Sequence, residues 1–326
     1  MINIAVDCMG SDNGPKVICQ AIINFLNNNQ DVFVFACGNE EDLESLKSLD
    51  RVKIIPSSQI VPMECGAMQV MRMKDSSMMR CIELFEKEKI DAAVSAGSTG
   101  GFLSLATLKL KLIPGIERAA LVSPFPTKVG KPVTILDIGA SNENTPSQLV
   151  QFALMGKLYT QAIFNVASPK VYLLSNGTEE KKGSPVGKEA YQLLKASNFD
   201  GFCGNIEARE ALSGEADVIV SEGYTGNVFL KATEGVAKMM SQMIKDNFKK
   251  NGITKLGYLF VRNGFKEMSE KMNYKNFGGA ILLGVNGVVV KAHGNSDAYS
   301  FEKALDLSLN MAKSDIVNKI KLGIKQ

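Results

Sequence analysis

The sequence predicts an α/β protein built around a largely parallel β-sheet. Short runs of β-branched and apolar residues recur along the first two thirds of the chain, with helical segments between them. Several runs are apolar throughout instead of alternating, which is typical of strands covered by helices on both faces. Polar, glycine-rich turns follow some of the runs, and ligands in such sheets bind beyond the carboxyl ends of the strands. The predicted strands lie at residues 2–6, 32–36, 52–55, 92–95, 133–138, 171–174 and 218–221.

Composition and length agree with a folded core. The chain has 326 residues, of which 45% are hydrophobic and 22% are charged, so neither a disordered nor a fibrous protein is indicated. This length fits either one continuous sheet with an appended element or two domains. The net charge of +3 is too small to indicate a nucleic-acid partner.

Cysteine usage and the amino-terminal residues bear on location. None of the six cysteines belongs to a C-x-x-C pair, and the start MINIAVD lacks the basic and apolar regions of a secretory signal. The low-charge stretch at 278–290 is shorter than the roughly 20 apolar residues that a membrane-spanning helix needs. We therefore expect reduced thiols and a cytoplasmic protein.

The alternation of strands and helices stops after Ser221. Residues from about 225 to 250 have apolar positions at helical spacing, and a second helical segment follows Asn251 and Gly252 and extends to 272. We expect a helical hairpin inserted at about residues 228–272. Residues 245–275 carry eight cations and three anions, a net charge of +5. A subunit interface or a core layer explains such a hairpin, and so does a tip that touches an anionic membrane or an acidic partner.

The only histidine, His293, follows a β-rich stretch at 281–291 and precedes an amphipathic helix that starts near Asp297. A single imidazole excludes a metal site with two or more histidines, and any Ser-His-Asp arrangement has to use this ring. Its polar loop lies on the ligand side of a predicted strand. A catalytic role and a structural role are equally open at this point.

Three glycine-rich turns each follow a predicted strand. They are 95–101 (SAGSTGG), 137–142 (DIGASN) and 221–228 (SEGYTGNV). The first opens a helix, where backbone amides can hold an anion. Glycine also allows a helix to pack close to a sheet, but three such turns together favour a crevice that handles phosphate.

Common nucleotide motifs are missing. The chain has no G-x-x-x-x-G-K-[ST] motif, and no G-x-G-x-x-G follows the first predicted strand. Nucleotide hydrolysis and nicotinamide binding are therefore disfavoured. The first turn contains Asp7 and Asp12, which can bind a cation or cap the following helix, and we favour capping.

Two more cationic positions are candidate anion sites. Arg72 and Lys74 precede a helix that Ser76 is expected to cap, although solvated charge explains them equally well. Lys188 lies near the start of a predicted helix, where a cation opposes the helix dipole. Such a placement weakly indicates a bound anion.

Seven ordered segments extend over nearly the whole chain: 7–13 (DCMGSDN), 74–78 (KDSSM), 95–100 (SAGSTG), 204–207 (GNIE), 223–228 (GYTGNV), 283–287 (LGVNG) and 291–294 (KAHG). In this order they resemble the PlsX family, the acyl-ACP:phosphate acyltransferases of bacterial phospholipid synthesis. The chain departs from the usual family pattern at Cys8, Ser11 and Ser98 and within 139–142 (GASN).

The resemblance implies a single catalytic domain over residues 1–326, with the three-layer α/β/α fold of isocitrate and isopropylmalate dehydrogenases and a protruding hairpin. It implies transfer of a long-chain acyl group from the thioester of acyl carrier protein to inorganic phosphate, which yields acyl phosphate. It also implies a homodimer at the inner face of the cell membrane, which passes its product to a membrane acyltransferase. Neither a metal ion nor another cofactor is expected, because phosphate is itself a nucleophile and a thiol with a pKa of about 8.5 leaves readily.

The resemblance and the loop positions together define the expected site. Three residues are expected to be catalytic: Lys188 carries the phosphate charge, Asn227 contacts the carbonyl or phosphate, and His293 acts near the departing sulfur. Contacts to phosphate and to the rest of the substrate are expected from Asp7, Gly10, Asp12, Lys74, Gly97, Ser98, Thr99, Gly100, Asn142 and Asp297.

Three other functions are alternatives. A phosphotransacetylase that uses a small acyl-CoA would place phosphate in the same way and differ in the acyl pocket. A decarboxylating dehydrogenase of the same fold needs a metal-binding acidic cluster, which the sequence does not show. A non-catalytic adaptor would bind a membrane surface through the hairpin, although three glycine turns at strand ends are more than a scaffold requires.

Overall fold

The computed structural model describes the backbone of residues 1–271 and 278–325 and the side chains of residues 1–266 and 278–325. The strands in this part are β1 (Ile2–Asp7), β2 (Val32–Gly38), β3 (Val52–Pro56), β4 (Ala92–Ser95), β5 (Ala120–Phe125), β6 (Val133–Leu136), β7 (Val171–Ser175), β8 (Phe202–Glu207), β9 (Val218–Val220), β10 (Ala280–Leu283) and β11 (Val288–Lys291). The helices are α1 (Pro15–Asn28), α2 (Ala67–Val70), α3 (Ser77–Lys87), α4 (Thr99–Leu110), α5 (Pro146–Phe164), α6 (Pro185–Ala196), α7 (Gly223–Lys249), α8 (Gly252–Lys271), α9 (Ala298–Lys313) and α10 (Ile316–Gly323), with a 3₁₀ turn at Glu44–Leu46.

The strands form one sheet in the order β3-β2-β1-β4-β11-β10-β5-β6-β9-β7-β8. Pairing is parallel from β3 to β11 and from β6 to β8, and antiparallel at β11–β10, β10–β5 and β5–β6. The two parallel halves therefore run in opposite directions. As a result, the carboxyl ends of β1, β4 and β11 lie at one edge of the sheet, and those of β6, β7 and β9 lie at the opposite edge.

Helices cover both faces of the sheet, which makes three layers. Helices α1, α5 and α9 belong to one outer layer, and α3 and α4 belong to the other. Within β1, Ile4 and Val6 enter the first core while Ala5 between them enters the second. This alternation follows from the pleat of a strand, which points successive side chains to opposite faces.

Side chains at helix starts determine where the helices next to the turns begin. Ser98 caps α4, Ser184 caps α6 and Asp297 caps α9, each through a side-chain oxygen that accepts a backbone N–H. At the start of α5, Thr145 and Gln148 form a reciprocal capping box. These contacts satisfy amides that the first turn of a helix leaves without an intrahelical partner.

The seven predicted strands are all present, with ends within two residues of the prediction. The stretch predicted as β-rich at 281–291 forms two strands, β10 and β11, and Gly284 with a φ of 95° lies in the turn between them. Strands β5 and β8 were not predicted. Pro124 interrupts the pattern of β5, and β8 is an edge strand with polar residues, so neither gives a clear strand signal.

Helices α7 and α8 form the predicted hairpin and pack against each other. Helix α7 begins at Gly223, two residues before the predicted helix start near residue 225 and five before the predicted start of the hairpin near residue 228. The Phe248 ring lies 5.2 Å from the Tyr258 ring and 5.1 Å from the Phe265 ring. The predicted end of the second helix at residue 272 lies outside the described residues.

The hairpin exposes large apolar side chains. Ile253 and Phe260 on α8 are 84% and 83% exposed, and Met239, Met240 and Met243 on α7 are about half exposed. Within the residues that the structure describes, none of the helices combines the length and the hydropathy that a membrane crossing requires.

Candidate active site

A cavity of about 800 Å³ lies between α7 and the strands β5, β10 and β11. Its lining includes the large apolar side chains of Leu121, Phe125, Ile138, Leu212 and Leu230. The polar and charged side chains of the lining are Thr99, Ser123, Thr127, Lys128, Asn227, Lys231, Thr233, Glu234, Lys291, His293, Ser296 and Ser300. A cavity lined by both kinds of side chain suits a ligand with an apolar chain and a charged head group.

The cavity joins turns from the two opposite edges of the sheet. Thr99 and Gly100 at the start of α4 and His293 after β11 come from one edge, whereas Gly139 after β6 and Asn227 in α7 come from the other. The sequence predicted a single crevice for the three glycine-rich turns. Because the strand direction reverses in the middle of the sheet, the first turn lies at the edge opposite to the other two. They reach a common cavity because it extends across the face of the sheet.

One face of α7 forms a side of the cavity. Asn227, Leu230, Lys231, Glu234 and Ala237 occupy positions i, i+3, i+4, i+7 and i+10 of the helix, so they share this face. With a rise of 1.5 Å per residue, the face extends over about 15 Å. Within it, Lys231 Nζ lies 2.8 Å from Glu234 Oε2. The helix therefore presents an amide group and a charge pair to the same ligand space.

A buried cation, Lys291, lines the cavity at the end of β11. Its side chain is only 7% exposed, and its Nζ donates a hydrogen bond to the Ala292 carbonyl oxygen. No other acceptor for this group is found among the described residues, although an ammonium group has three N–H donors. Burial lowers the pKa of Lys291 to about 8, against the opposing effect of the Asp7 and Asp12 carboxylates. The arrangement leaves donor capacity for an anion in the cavity.

His293 lies two residues beyond Lys291 on the same side of the cavity. Partial burial lowers the pKa of His293 below its ordinary value; the nearby Glu234 carboxylate opposes this shift, and the Lys231 ammonium adds to it. The imidazole is therefore mainly neutral at pH 7. The Asn295 backbone N–H approaches its Nδ1 at 3.4 Å.

The turn after β1 holds the His293 loop in place. The Asn13 side-chain amide donates a hydrogen bond of 3.0 Å to the Asn295 carbonyl oxygen. The backbone N–H of Asp12 donates one of 2.9 Å to the Gly294 carbonyl oxygen. Asp12 thus contributes to the site through its backbone, while its carboxylate is exposed and does not line the cavity.

Asp7, a predicted substrate contact, is buried and does not line the cavity. Its Oδ1 accepts hydrogen bonds from Ser77 Oγ at 2.6 Å and Met9 N at 3.2 Å, and its Oδ2 accepts one from Ser95 Oγ at 2.6 Å. Burial raises the pKa of Asp7, and these hydrogen bonds oppose the rise. The carboxylate therefore connects the turns that follow β1 and β4.

Gly10 and Gly97, also predicted to contact substrate, allow these two turns to meet. Gly10 has a φ of 78°, and a Cβ on it would lie 3.4 Å from Gly97 Cα. A Cβ on Gly97 would lie 2.9 Å from Met78 Cε and 3.3 Å from Asp7 Oδ2. Both glycines shape the edge of the sheet and lie outside the cavity lining.

The turn predicted to hold an anion divides into two parts. Thr99 and Gly100 line the cavity at the start of α4. Ser98 is buried, and its hydroxyl caps α4 while donating a hydrogen bond of 2.9 Å to the Met63 carbonyl oxygen. The Ser98 side chain is therefore occupied by structural contacts, and only the following two residues face the ligand space.

At the opposite edge, the buried Asp137 carboxylate orders the turn after β6. Its Oδ1 accepts hydrogen bonds from the backbone amides of Leu121, Gly139 and Ala140 at 3.0, 3.0 and 2.8 Å. Its Oδ2 accepts hydrogen bonds from the amide and the hydroxyl of Ser141 at 2.9 and 2.6 Å. Five donors thus fix a turn whose backbone borders the cavity.

Two glycines bring Asn227 to the cavity. A Cβ on Gly226 would lie 1.9 Å from the Asp137 carbonyl oxygen. Helix α7 therefore approaches the end of β6 so closely that only glycine fits at this position. A Cβ on Gly139 would lie 3.3 Å from Asn227 Cγ. The GYTGNV segment therefore encodes a close contact between helix and turn as well as a polar side chain.

Other predicted site residues lie outside the cavity lining. Lys188 is exposed in the first turn of α6, Lys74 is exposed before α3, and Asn142 is exposed in the turn after β6. The Asp297 side chain accepts a hydrogen bond of 2.8 Å from Ser300 N and so caps α9. The structure thus brings together Asn227, His293, Thr99 and Gly100, and it does not bring Lys188 to them.

The charged residues Lys128, Lys231, Glu234 and Lys291 line the cavity but were not predicted as site residues. A signal for Lys291 was present in the sequence, because it ends the apolar run VVVK and a lysine in a buried strand is rare without a function or a partner. Lys231 and Glu234 give no such signal. On a long helix they are indistinguishable from a solvent-exposed pair, and in the structure Lys231 is indeed exposed while Glu234 is partly buried.

The described residues contain no group of three or more histidine, cysteine, aspartate or glutamate side chains that could hold a metal ion. Burial raises the pKa of the Cys8 and Cys37 thiols well above the ordinary value. Buried thiols of this kind are poor nucleophiles, so the cavity is the best-supported site.

A protein-family model described as "Fatty acid synthesis protein" matches residues 2–319. A phosphate acyltransferase from an Exiguobacterium species is 40% identical over 324 residues, which are 98% of this chain and 98% of the relative. The chain belongs to the PlsX family of phosphate acyltransferases. A phosphate acyltransferase from Clostridium tetani is 38% identical over 326 residues, with 98% of this chain and 97% of the relative covered.

Solved structures confirm the predicted three-layer α/β fold for this family member. A phosphotransacetylase from Streptococcus pyogenes has a TM-score of 0.61 at 18% identity and covers 96% of this chain and 94% of its own. A 4-hydroxythreonine-4-phosphate dehydrogenase from Klebsiella pneumoniae has a TM-score of 0.55 at 12% identity, with coverage of 95% and 99%. At such low identity these similarities concern the fold alone. Membership of an acyltransferase family removes the reading of the chain as a non-catalytic adaptor.

Proposed function

We propose that this protein transfers a long-chain acyl group from the thioester of acyl carrier protein to inorganic phosphate, releasing acyl phosphate and the carrier thiol. Family membership supports acyl transfer to phosphate. The observation that carries the proposal is the buried Lys291 ammonium in the same cavity as several large apolar side chains. A reaction between phosphate and a fatty thioester requires both features side by side.

Phosphate binds between Lys291, Lys231 and His293. The unused N–H groups of Lys291 form charge-assisted hydrogen bonds to it, which are strong in a site with little water. The first amides of α4, at Thr99 and Gly100, add donors because they have no intrahelical acceptor. Lys291 and Lys231 take the role that the sequence suggested for Lys188, since Lys188 lies outside the cavity.

The acyl chain lies against the apolar side chains of the cavity. Leu121, Phe125, Ile138, Leu212 and Leu230 supply this surface. Each methylene group removed from water contributes about 0.8 kcal/mol. A long chain therefore gains binding energy that an acetyl group cannot gain.

The reaction is a direct displacement at the thioester carbonyl. A phosphate oxygen forms a bond to the carbonyl carbon, and negative charge develops on the carbonyl oxygen, where the Asn227 amide N–H stabilises it. Collapse of this intermediate breaks the carbon–sulfur bond, and the carrier leaves as a thiolate that takes a proton from water. Neutral His293 donates a hydrogen bond to the bound phosphate and does not transfer a proton to the attacking oxygen. Neither a covalent enzyme intermediate nor a cofactor takes part.

We assign the hairpin to contacts outside the active site. Its exposed apolar side chains, such as Ile253 and Phe260, and its exposed lysines, such as Lys249 and Lys250, suit a subunit interface and the anionic surface of a membrane. The proposal thus describes a cytoplasmic homodimer that associates with the inner face of the membrane. It delivers acyl phosphate to a membrane acyltransferase.

The test follows product formation with three donors. Purified protein is incubated with phosphate and palmitoyl-carrier protein, palmitoyl-CoA or acetyl-CoA, and acyl phosphate is trapped with hydroxylamine. Reactions without phosphate correct for direct cleavage of the thioester. We expect phosphate-dependent hydroxamate from the palmitoyl-carrier donor and little from acetyl-CoA. A preference for acetyl-CoA would instead make the protein a phosphotransacetylase.

A further inference from the structure

Segment 60–74 forms a surface with exposed apolar side chains beside the cavity; we call it the 60–74 surface. Ile60, Met63 and Met68 are 52%, 45% and 77% exposed. Four methionines lie within the segment at positions 63, 68, 71 and 73. Methionine-rich surfaces adapt to the apolar side chains of a protein partner, because the thioether chain is flexible and polarisable.

The 60–74 surface contacts the residues that border the active site. The Met63 carbonyl oxygen accepts the hydrogen bond from Ser98 at the start of α4. A Cβ on Gly294 would lie 3.1 Å from Met63 Cε, and a Cβ on Gly100 would lie 3.7 Å from the Cys65 carbonyl oxygen. Gly100 and Gly294 both line the cavity. A protein bound on this surface is therefore next to the cavity.

Two cations at the end of the 60–74 surface lack an acidic partner. Arg72 and Lys74 are exposed, and no ion pair to either is formed by the residues that the structure describes. The adjacent Asp75 is already bound, because Arg80 Nη2 lies 2.9 Å from its Oδ1. Glu64 is the one acid within the segment and lies away from these cations in sequence. The charge at this end of the surface is available to an acidic partner.

We propose that the 60–74 surface is where the acidic protein that carries the acyl thioester docks. The proposal rests on the carrier-linked donor of the proposed function. Exposed methionines supply the apolar contact, Arg72 and Lys74 supply charge complementarity, and the adjacency to Gly100 and Gly294 lets a thioester arm enter the cavity. This location differs from the basic hairpin, which the sequence offered as a contact for an acidic partner.

The test compares two charge reversals of equal size. The variant R72E/K74E alters the 60–74 surface, and K249E/K250E alters the hairpin. For each, kcat/KM is measured with palmitoyl-carrier protein and with palmitoyl-pantetheine, which has the arm but no protein. We expect R72E/K74E to lower the ratio of carrier to pantetheine efficiency about tenfold at low salt, and less at high salt, because salt screens the steering charges. K249E/K250E should leave this ratio unchanged.

Each of the other results contradicts the proposed docking surface and points to a different explanation. An unchanged ratio for R72E/K74E, with wild-type protein still using the carrier, rejects the docking surface and leaves the proposed function intact. A raised KM for phosphate with both donors would make Lys74 a substrate contact. Lost binding to phosphatidylglycerol vesicles with normal carrier kinetics would make the surface a lipid contact. Wild-type protein that uses palmitoyl-pantetheine but not the carrier would reject the donor and the docking surface together.

Discussion

The Ser95 hydroxyl donates a hydrogen bond of 2.6 Å to Oδ2 of Asp7, across the parallel strands β1 and β4. The same hydroxyl accepts a hydrogen bond of 3.0 Å from Gly97 N. Asp7 thereby positions the turn that leads to Gly100 in the cavity. At the other edge of the sheet, Asp137 orders the turn after β6 through five hydrogen bonds. Each half of the sheet thus has a buried carboxylate that orders the loop at its carboxyl end.

Replacement of Ser95 by alanine should destabilise the protein. The variant Ser95→Ala removes a donor from the buried Asp7 carboxylate, and hydrogen bonds to charged groups contribute about 1.5–3 kcal/mol. Ser308→Ala is a matched control, because Ser308 is equally buried but its hydroxyl donates to a backbone carbonyl, that of Leu305. Urea unfolding measures both variants. Equal decreases in the free energy of unfolding of the two variants would show that the hydrogen bond to Asp7 contributes no more than one to a backbone carbonyl.

The pH dependence of phosphate use should follow Lys291. Its pKa of about 8 means that the cation is present below this pH and is lost as the pH rises above it. Since kcat/KM reports ionisations of the free enzyme, kcat/KM for phosphate should fall above about pH 8. In Lys291→Arg the guanidinium keeps its charge, so the fall should disappear.

Lys291→Met and Lys188→Ala separate the two candidate phosphate cations. Removal of the buried Lys291 charge should raise the KM for phosphate about 100-fold, as expected for a charge-assisted contact worth roughly 3 kcal/mol. Lys188 is exposed on α6, so Lys188→Ala should change this KM less than twofold. The opposite pattern would restore the assignment made from the sequence.

Replacement of two glycines of α7 by alanine should change the stability of the protein in opposite directions. A Cβ on Gly226 would lie 1.9 Å from the Asp137 carbonyl oxygen, so Gly226→Ala should cost about 3 kcal/mol or more. A Cβ on Gly235 meets nothing within 4 Å, so Gly235→Ala should stabilise the helix by about 1 kcal/mol. Thermal unfolding of both variants tests the close approach of α7 to the end of β6. A mild effect of Gly226→Ala would contradict that approach.

Asn13 should act as a positioning residue for His293. Its amide donates 3.0 Å hydrogen bonds to the carbonyl oxygens of Asn295 and Ser296. In Asn13→Ala the loop loosens, and we expect the pKa of His293 to rise toward its ordinary value as burial decreases. An NMR titration of the single imidazole measures this shift, and kcat should fall in parallel.

Asn28→Ala controls for general loss of stability. The Asn28 amide also joins distant parts of the chain, through a 3.1 Å hydrogen bond to Glu302 Oε1, but it does so away from the cavity. This variant should leave the His293 titration unchanged. If both variants shift the titration equally, Asn13 has a structural role only.

Local sequence patterns were enough to predict several residues that line the cavity. The turns that contain Thr99, Gly100 and Asn227, and the loop that contains His293, were all placed at the ends of predicted strands, and these residues line the cavity. Turn residues and apolar runs are properties of short segments, so the chain specifies them without reference to its distant parts. The seven ordered segments that resemble the family indicated the reaction.

The α/β class, the seven predicted strands and the hairpin follow from the amino-acid sequence by itself, because apolar periodicity and glycine placement act over a few residues. The tertiary structure alone decided that the sheet reverses direction at β10, β5 and β6, since strand pairing joins segments far apart in the chain. It also decided that Lys291 is buried in the cavity while Lys188 is exposed. Burial of a charge depends on the segments that pack around it, and these come from parts of the chain that are distant in sequence.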